Sequence, residues 1–210
     1  MNKEKHSGSL IVISGPSGAG KSVLTRYALR SLPGLKFSIS YTTRAPRGGE
    51  QNGVEYFFTD RPKFESLINT GEFLEWAEVY GNYYGTSRSF IDDILQQGSD
   101  VILDIDVQGA RAVKKARPDA VAVFVLPPSL DVLRERLLRR KLDDADVIKK
   151  RLKIACDEIR HYKDYDYLIV NDDLENAERE LAAIIVSARC RVNVRGNATS
   201  SMIKFFGDDK

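Results

Sequence analysis

The chain has 210 residues, which suits one α/β domain with insertions or at most two small domains, and its 42% hydrophobic content is enough for a sizeable core. Charged residues make up 30%, yet the net charge is only +2, so the charge balance does not indicate a basic nucleic-acid-binding surface. No run of about 18 apolar residues offers a membrane span, the polar start MNKEKHSGS lacks the apolar core of a signal peptide, and Cys156 and Cys190 show neither metal nor disulfide spacing. A soluble protein in a reducing, cytoplasmic setting is therefore expected.

After a polar tail over 1–8, the short apolar run Leu10-Ile11-Val12-Ile13 reads as a buried strand. It breaks into Gly15-Pro16-Ser17-Gly18-Ala19-Gly20-Lys21-Ser22, and Val23, Leu24, Tyr27 and Ala28 then have helical spacing. Strand, glycine-rich loop and helix with Lys-Ser at the helix start make the P-loop pattern G-x-x-x-x-G-K-[ST]. Glycines let the backbone turn several N–H groups toward a phosphate, and the helix N-terminus adds partial positive charge. Lys21 suits the β/γ-phosphates and the Ser22 hydroxyl suits Mg²⁺. A nucleoside triphosphate is expected here, but the loop alone does not say what becomes of its γ-phosphate.

Ser31-Leu32-Pro33-Gly34 ends the helix, and the alternation of Leu35, Phe37, Ile39 and Tyr41 with polar residues predicts one strand. The polar loop Thr42–Glu50 carries Arg44 and Arg47, whose planar forks suit phosphate; a solvated basic loop is the alternative. A strand is expected over Val54–Phe58, then a short helix capped by Asp60 and ended by Gly71, then a strand over Glu72–Tyr80. Tyr56 and Tyr84 each offer a hydroxyl to phosphate. Alternation puts Glu75 on the face of Phe73 and Ala77, where a carboxylate is costly unless paired. A guanine ring presents N1–H and N2–H₂ side by side, a match for two carboxylate oxygens, and adenine has no such pair; a salt bridge or half-exposed strand position is the alternative for Glu75. Gly81-Asn82-Tyr83-Tyr84-Gly85 reads as a turn-rich loop, and the block as a whole as a small, largely antiparallel insert.

A βα rhythm follows. Phe90, Ile91, Ile94 and Leu95 mark a helix, and Val101–Asp106 a buried strand with Asp104 and Asp106 at its end. Residues two apart share a face, so one carboxylate suits Mg²⁺ through water and the other a substrate; helix capping or strand-end solvation is the alternative. Further helices are expected before Pro118, after the cap Ser129, over Asp144–His161 and over 173–190, with strands at Val121–Leu126 and Tyr167–Val170. Arg136, Arg139, Arg140 and Arg151 could cover a triphosphate or form a solvated face. Apolar strands alternating with helices imply a parallel sheet covered on both faces, with ligands beyond the carboxyl ends of its strands. No obvious base for activating a hydroxyl is present, and a nucleoside monophosphate acceptor needs none, because its phosphate oxygen is already anionic. The tail 191–210 is weakly patterned.

The stretches GPSGAGKS, SYTTRAPRGGE, GVEYFF, GEFLEWAEVYGNYYGTS, VILDIDVQGA and VNDDL stand in that order, and from about Leu10 to about Leu181 the chain resembles the guanylate kinase family. The resemblance implies an α/β P-loop core (1–37, 87–130 and 155–210) with a parallel sheet flanked by helices, a mostly antiparallel GMP-binding insert (38–86) and a small helical lid (131–154). It implies transfer of the ATP γ-phosphoryl group to GMP with Mg²⁺, small-molecule substrates only, and no nucleic-acid or membrane partner; monomer or homo-oligomer stays open. In that comparison Gly15–Ser22 would hold ATP, Asn171 would lie near the adenine, and Ser40, Glu75 and Thr86 would read the guanine. Arg44, Arg47, Tyr56 and Tyr84 would bind the GMP phosphate, and Asp104 and Asp106 match an acidic pair near metal and GMP. Arg136, Arg140 and Arg151, with Lys21 and Arg44, match the catalytic cations. The chain departs from the family in its lid, where Arg139-Arg140-Lys141-Leu142 lacks the usual glycines and implies a stiffer hinge. The alternative is a binding module of the kind found in scaffold proteins, which keep this fold without ATP binding; the intact Gly15, Gly18, Gly20, Lys21 and Ser22 favour the enzyme.

Overall fold

A computed structural model describes residues 7–79, 81–138 and 145–195. Five parallel strands form the central sheet: β1 (Leu10–Ser14), β2 (Leu35–Phe37), β7 (Asp100–Asp104), β8 (Val121–Leu126) and β9 (Tyr167–Val170), in the order β2-β7-β1-β8-β9. Its strands are apolar on both faces because both are covered. Ile11 and Ile13 point to one side, with Leu24 and Ala28 of α1 (Lys21–Ser31) and Leu181 and Ile185 of α7 (Leu174–Arg189). Leu10 and Val12 point to the other, with Ile91 and Leu95 of α3 (Arg88–Gln96) and Ala110 and Val113 of α4 (Val107–Ala116). Helices α5 (Leu130–Leu138) and α6 (Ala145–Ile159) pack on each other through Leu133, Leu137 and Ala155, and α8 (Val192–Arg195) follows α7.

The second sheet holds β3 (Ser40–Thr42), β4 (Tyr56–Phe58), β5 (Phe73–Val79) and β6 (Asn82–Ser87), in the order β4-β3-β6-β5, with α2 (Arg61–Asn69) between β4 and β5. Two of its three pairings are antiparallel and β3–β4 is parallel. Asp60 caps α2 as expected, its Oδ1 accepting from the Lys63 N–H at 2.8 Å.

Three local expectations change. The single strand over 35–41 is two strands in different sheets, with β2 on β7 and β3 on β4 and β6. Alternation reports which face a residue takes, not which sheet its strand joins. The strand expected from Val54 starts at Tyr56, and Val54 is exposed in a turn. The loop expected over 81–85 is strand from Asn82 onward, paired with β5. Its turn-like Gly85 serves a close approach instead: a Cβ there would lie 3.0 Å from Phe64 Cζ and 3.0 Å from Phe73 Cδ1.

A β-bulge between Phe73 and Glu75 also alters the expected faces. Phe73 stacks on Phe64 of α2, as Tyr83 does from its other neighbour, and Trp76 packs edge-on to Tyr83. Leu74 enters the core beside Ile91 and Leu103. The extra residue puts Glu75 on the face opposite Phe73, together with Ala77. A Gly85→Val substitution overfills the ring cluster and should cost about 1–3 kcal/mol, read as a lower urea midpoint; an unchanged midpoint would show that the rings give way freely.

Candidate active site

Backbone sterics shape the loop between β1 and α1. Gly20 has φ 100°, and a Cβ there would lie 2.1 Å from Asn171 Nδ2. Gly15 has φ 139°, and its Cβ would lie 2.2 Å from the Val125 carbonyl oxygen. No L side chain fits either position. The loop closes on itself through Ala19 N–H to the Pro16 carbonyl at 3.1 Å, and Lys21 Nζ donates to the Gly15 carbonyl at 2.6 Å. Asn171, at the end of β9 and buried, donates from Nδ2 to the Ala19 carbonyl at 2.7 Å. Arg136 of α5 donates to the same carbonyl at 3.4 Å and to the Asn171 carbonyl at 3.0 Å. Two elements thus hold the loop from behind.

The β1–β7 register sets Ile13 opposite Asp104 and so brings the Ser22 hydroxyl to Asp104, where it donates to Oδ2 at 3.2 Å. Burial pushes the Asp104 carboxyl above its usual range, against the Lys21 charge and the Ser22 hydrogen bond. Asp106 is the N-cap of α4, its Oδ1 accepting from Gly109 N–H at 2.7 Å. Capping is therefore part of its role, while its side of the chain also faces both clefts.

The first cleft, of about 390 Å³, is lined by Gly15, Ser17, Gly18, Gly20, Lys21 and Ser22, facing Asp104 and Asp106. The second, of about 420 Å³, is lined by Ser40, Arg47, Tyr56, Glu75 and Tyr84. Asp104, Ile105 and Asp106 line both and form their common wall. In the second cleft Glu75 Oε1 accepts the fully buried Thr86 hydroxyl at 2.6 Å. Burial pushes the Glu75 carboxyl up, the Thr86 hydrogen bond opposes this, and the Asp106 charge adds to it.

Arg44 stands behind that lining. Its guanidinium lies over the Tyr56 ring at 5.3 Å and grips both Glu50 oxygens at 2.8 and 2.9 Å. Glu50 also accepts the Arg47 N–H at 2.7 Å, and the Arg44 hydrogen bond holds its carboxyl below the usual range. Arg151 is half-buried on α6. Arg139 and Arg140 lie outside the described residues.

Three charged lining or supporting residues escaped the sequence reading. Glu50 had a signal, an acid six residues after Arg44 in the same polar loop. Arg26 lines the first cleft one turn after Ser22, and its Nε donates to the Ser22 carbonyl at 3.1 Å. Glu158 of α6 lines the same cleft, seven residues after Arg151 and so on the same helix face, with its carboxyl pushed up mainly by burial. Charged residues on helices are usually solvated, which hid these two.

The guanylate kinase family model matches residues 7–188. The chain belongs to the guanylate kinase family. It is similar to the guanylate kinase of Symbiobacterium thermophilum, with 51% identity over 92% of each chain. Against the guanylate kinase of Koribacter versatilis the identity is 52%, covering 88% of this chain and 81% of that one. A solved structure, the guanylate kinase from Anaplasma phagocytophilum, superposes with a TM-score of 0.72 at 34% identity and 90% coverage of each chain. As a member of the guanylate kinase family the protein is an enzyme, a nucleoside monophosphate kinase.

Asn171→Ala should remove the main brace of the Ala19 carbonyl, cost about 1–3 kcal/mol, and raise KM for the triphosphate more than for the acceptor. Equal effects on both KM values would show that the brace does not act through the loop.

Proposed function

We propose that the two clefts are the donor and acceptor halves of one site, in which the γ-phosphoryl group of ATP passes reversibly to GMP, giving ADP and GDP, as in GMP recycling. The observation that carries this is the shared wall Asp104-Ile105-Asp106, with a P-loop on one side and Glu75–Thr86 on the other. The names of the relatives at about half identity support the same reaction.

On this reading Gly15–Ser22 wrap the ATP phosphates with backbone N–H groups, and Asn171 lies toward the adenine. Glu75 accepts from guanine N1–H and N2–H₂, Thr86 orients it, and Ser40 and Asp106 complete the nucleoside contacts. Arg44, Arg47, Tyr56 and Tyr84 take the GMP phosphate, with Glu50 setting the Arg44 fork. Lys21, Arg136, Arg140 and Arg151 supply positive charge to the transferring group, which is the larger part of phosphoryl-transfer catalysis. The acceptor oxygen arrives ionised and needs no base.

The Ser22 hydroxyl and the Asp104 carboxylate, 3.2 Å apart, are hard oxygen donors that fit Mg²⁺. No cluster of three or more His, Cys, Asp or Glu suited to a metal occurs among the described residues. That fits a cation held by Ser22, by Asp104 through water, and by phosphate oxygens. Bound there, Mg²⁺ would neutralise charge on the phosphates. We assign 1–37, 87–130 and 155–210 to the core, 38–86 to the acceptor insert and 131–154 to the lid. No helix among the described residues is long and apolar enough to cross a membrane, and a cytoplasmic location fits the substrates.

The testing experiment is a coupled ADP-release assay with ATP and Mg²⁺ against GMP, AMP, CMP, UMP and dTMP. GMP alone should turn over rapidly; comparable rates with AMP would overturn the acceptor assignment.

Glu75→Gln should lower kcat/KM for GMP by up to about 10⁴-fold with little effect on KM for ATP. In the unaltered enzyme KM for GMP should rise as pH falls through the raised Glu75 value, above the ordinary glutamate range, because the protonated carboxyl accepts poorly. The folded-state value lies above the unfolded one, so ionised Glu75 costs stability once pH rises through that window. The Gln variant should therefore be no less stable at neutral pH, and a marked fall in its Tm would assign Glu75 a structural role.

A further inference from the structure

Gly109 is the third residue of α4 and the one glycine inside a helix among the described residues. Its backbone does not require glycine, since it is absent from the positive-φ set and has helical conformation. Alanine is the better helix former at such a position. The reason for glycine lies in what surrounds it. A Cβ there would lie 3.1 Å from Glu75 Oε2, 3.4 Å from Glu75 Cδ and 3.3 Å from Asp106 Oδ1. The nearest atoms are thus the carboxylates of two cleft residues, and Gly109 N–H already binds one of them.

We infer that Gly109 is a positioning residue for guanine recognition, acting through Glu75; this rests on the acceptor reading above. The bare helix surface leaves room for the Glu75 carboxylate to lie against the first turn of α4, which packs on β5. Oε1 is fixed from the other side by the buried Thr86 hydroxyl at 2.6 Å. The carboxylate is therefore held between two elements, one in the insert and one in the core. A methyl group at 109 is tighter than nearly all ordinary contacts and displaces Oε2 by a few tenths of an ångström. Paired hydrogen bonds to N1–H and N2–H₂ are sensitive to such a shift, because both oxygens must stay in the plane of the base edge.

The test is Gly109→Ala in the full chain, assayed with ATP and Mg²⁺. kcat/KM for GMP should fall ~10-fold, mainly through KM, while KM for ATP stays within ~2-fold, since the Gly15–Ser22 loop is not touched and Asp106 keeps its cap bond from the backbone N–H at 109. The preference for GMP over inosine monophosphate, which lacks the 2-amino group, should narrow. Tm should hold or rise, as alanine favours the helix. In a Glu75→Gln background the same substitution should add little, because the two act as one unit. Unchanged GMP kinetics would overturn the inference, and so would a lowered Tm with ATP and GMP affected alike. An unaltered enzyme that fails to phosphorylate GMP would instead overturn the acceptor reading itself.

Discussion

The parallel pairing of β1 with β7 sets where Ser22 stands relative to Asp104, and the rest of the site is arranged around that pair. Both strands are buried on both faces, so their register is fixed by packing on two sides at once. β1 ends in the phosphate loop and β7 in Asp104. Two residues further on, Asp106 caps α4 and turns the chain into the first helical turn. One strand end therefore supplies the wall of both clefts.

Charge is sorted along this wall. Lys21 and Arg136 gather at the P-loop, and Arg44 and Arg47 in the loop between β3 and β4. The carboxylates of Glu75, Asp104, Asp106 and Glu158 stand between and beside them. Burial pushes three of these, Glu75, Asp104 and Glu158, above their usual range. Burial of these acids outweighs the partners they have in the protein, the Thr86 and Ser22 hydroxyls and the Lys21 charge, so a further donor edge or a cation would favour their ionised form. The acids are thus as informative about ligands as the arginines are.

The P-loop, the Asp104 strand and the order of the core elements were legible because each rests on local rules: apolar runs for strands covered on both faces, caps for helix starts, glycines where φ must be positive. Glu75 was legible as a polar exception in an apolar stretch, though its face was not, because the bulge at Leu74 inverts the alternation. The change of sheet between β2 and β3 was illegible, since alternation carries no record of the partner strand. β6 was misread because Asn82 and Gly85 resemble turn residues, and only the rings of Phe64 and Phe73 explain the glycine. Gly109 belongs to the same class. A glycine demanded by its own φ can be inferred from neighbouring residues; one demanded by a side chain thirty-four positions earlier cannot.

The two ends of the second cleft are anchored differently. At the Glu75 end, Leu74 lies in the core cluster with Ile91 and Leu103, and the Glu75 carboxylate lies against α4 at Gly109. At the other end, Arg44 and Arg47 are tied to Glu50 in their own loop, and Arg44 rests on Tyr56 and Phe58 of β4. These partners all lie on β4 or in the loop before it. Glu75 is accordingly held against the core, while Arg44 and Arg47 are held only by residues close to them in the chain.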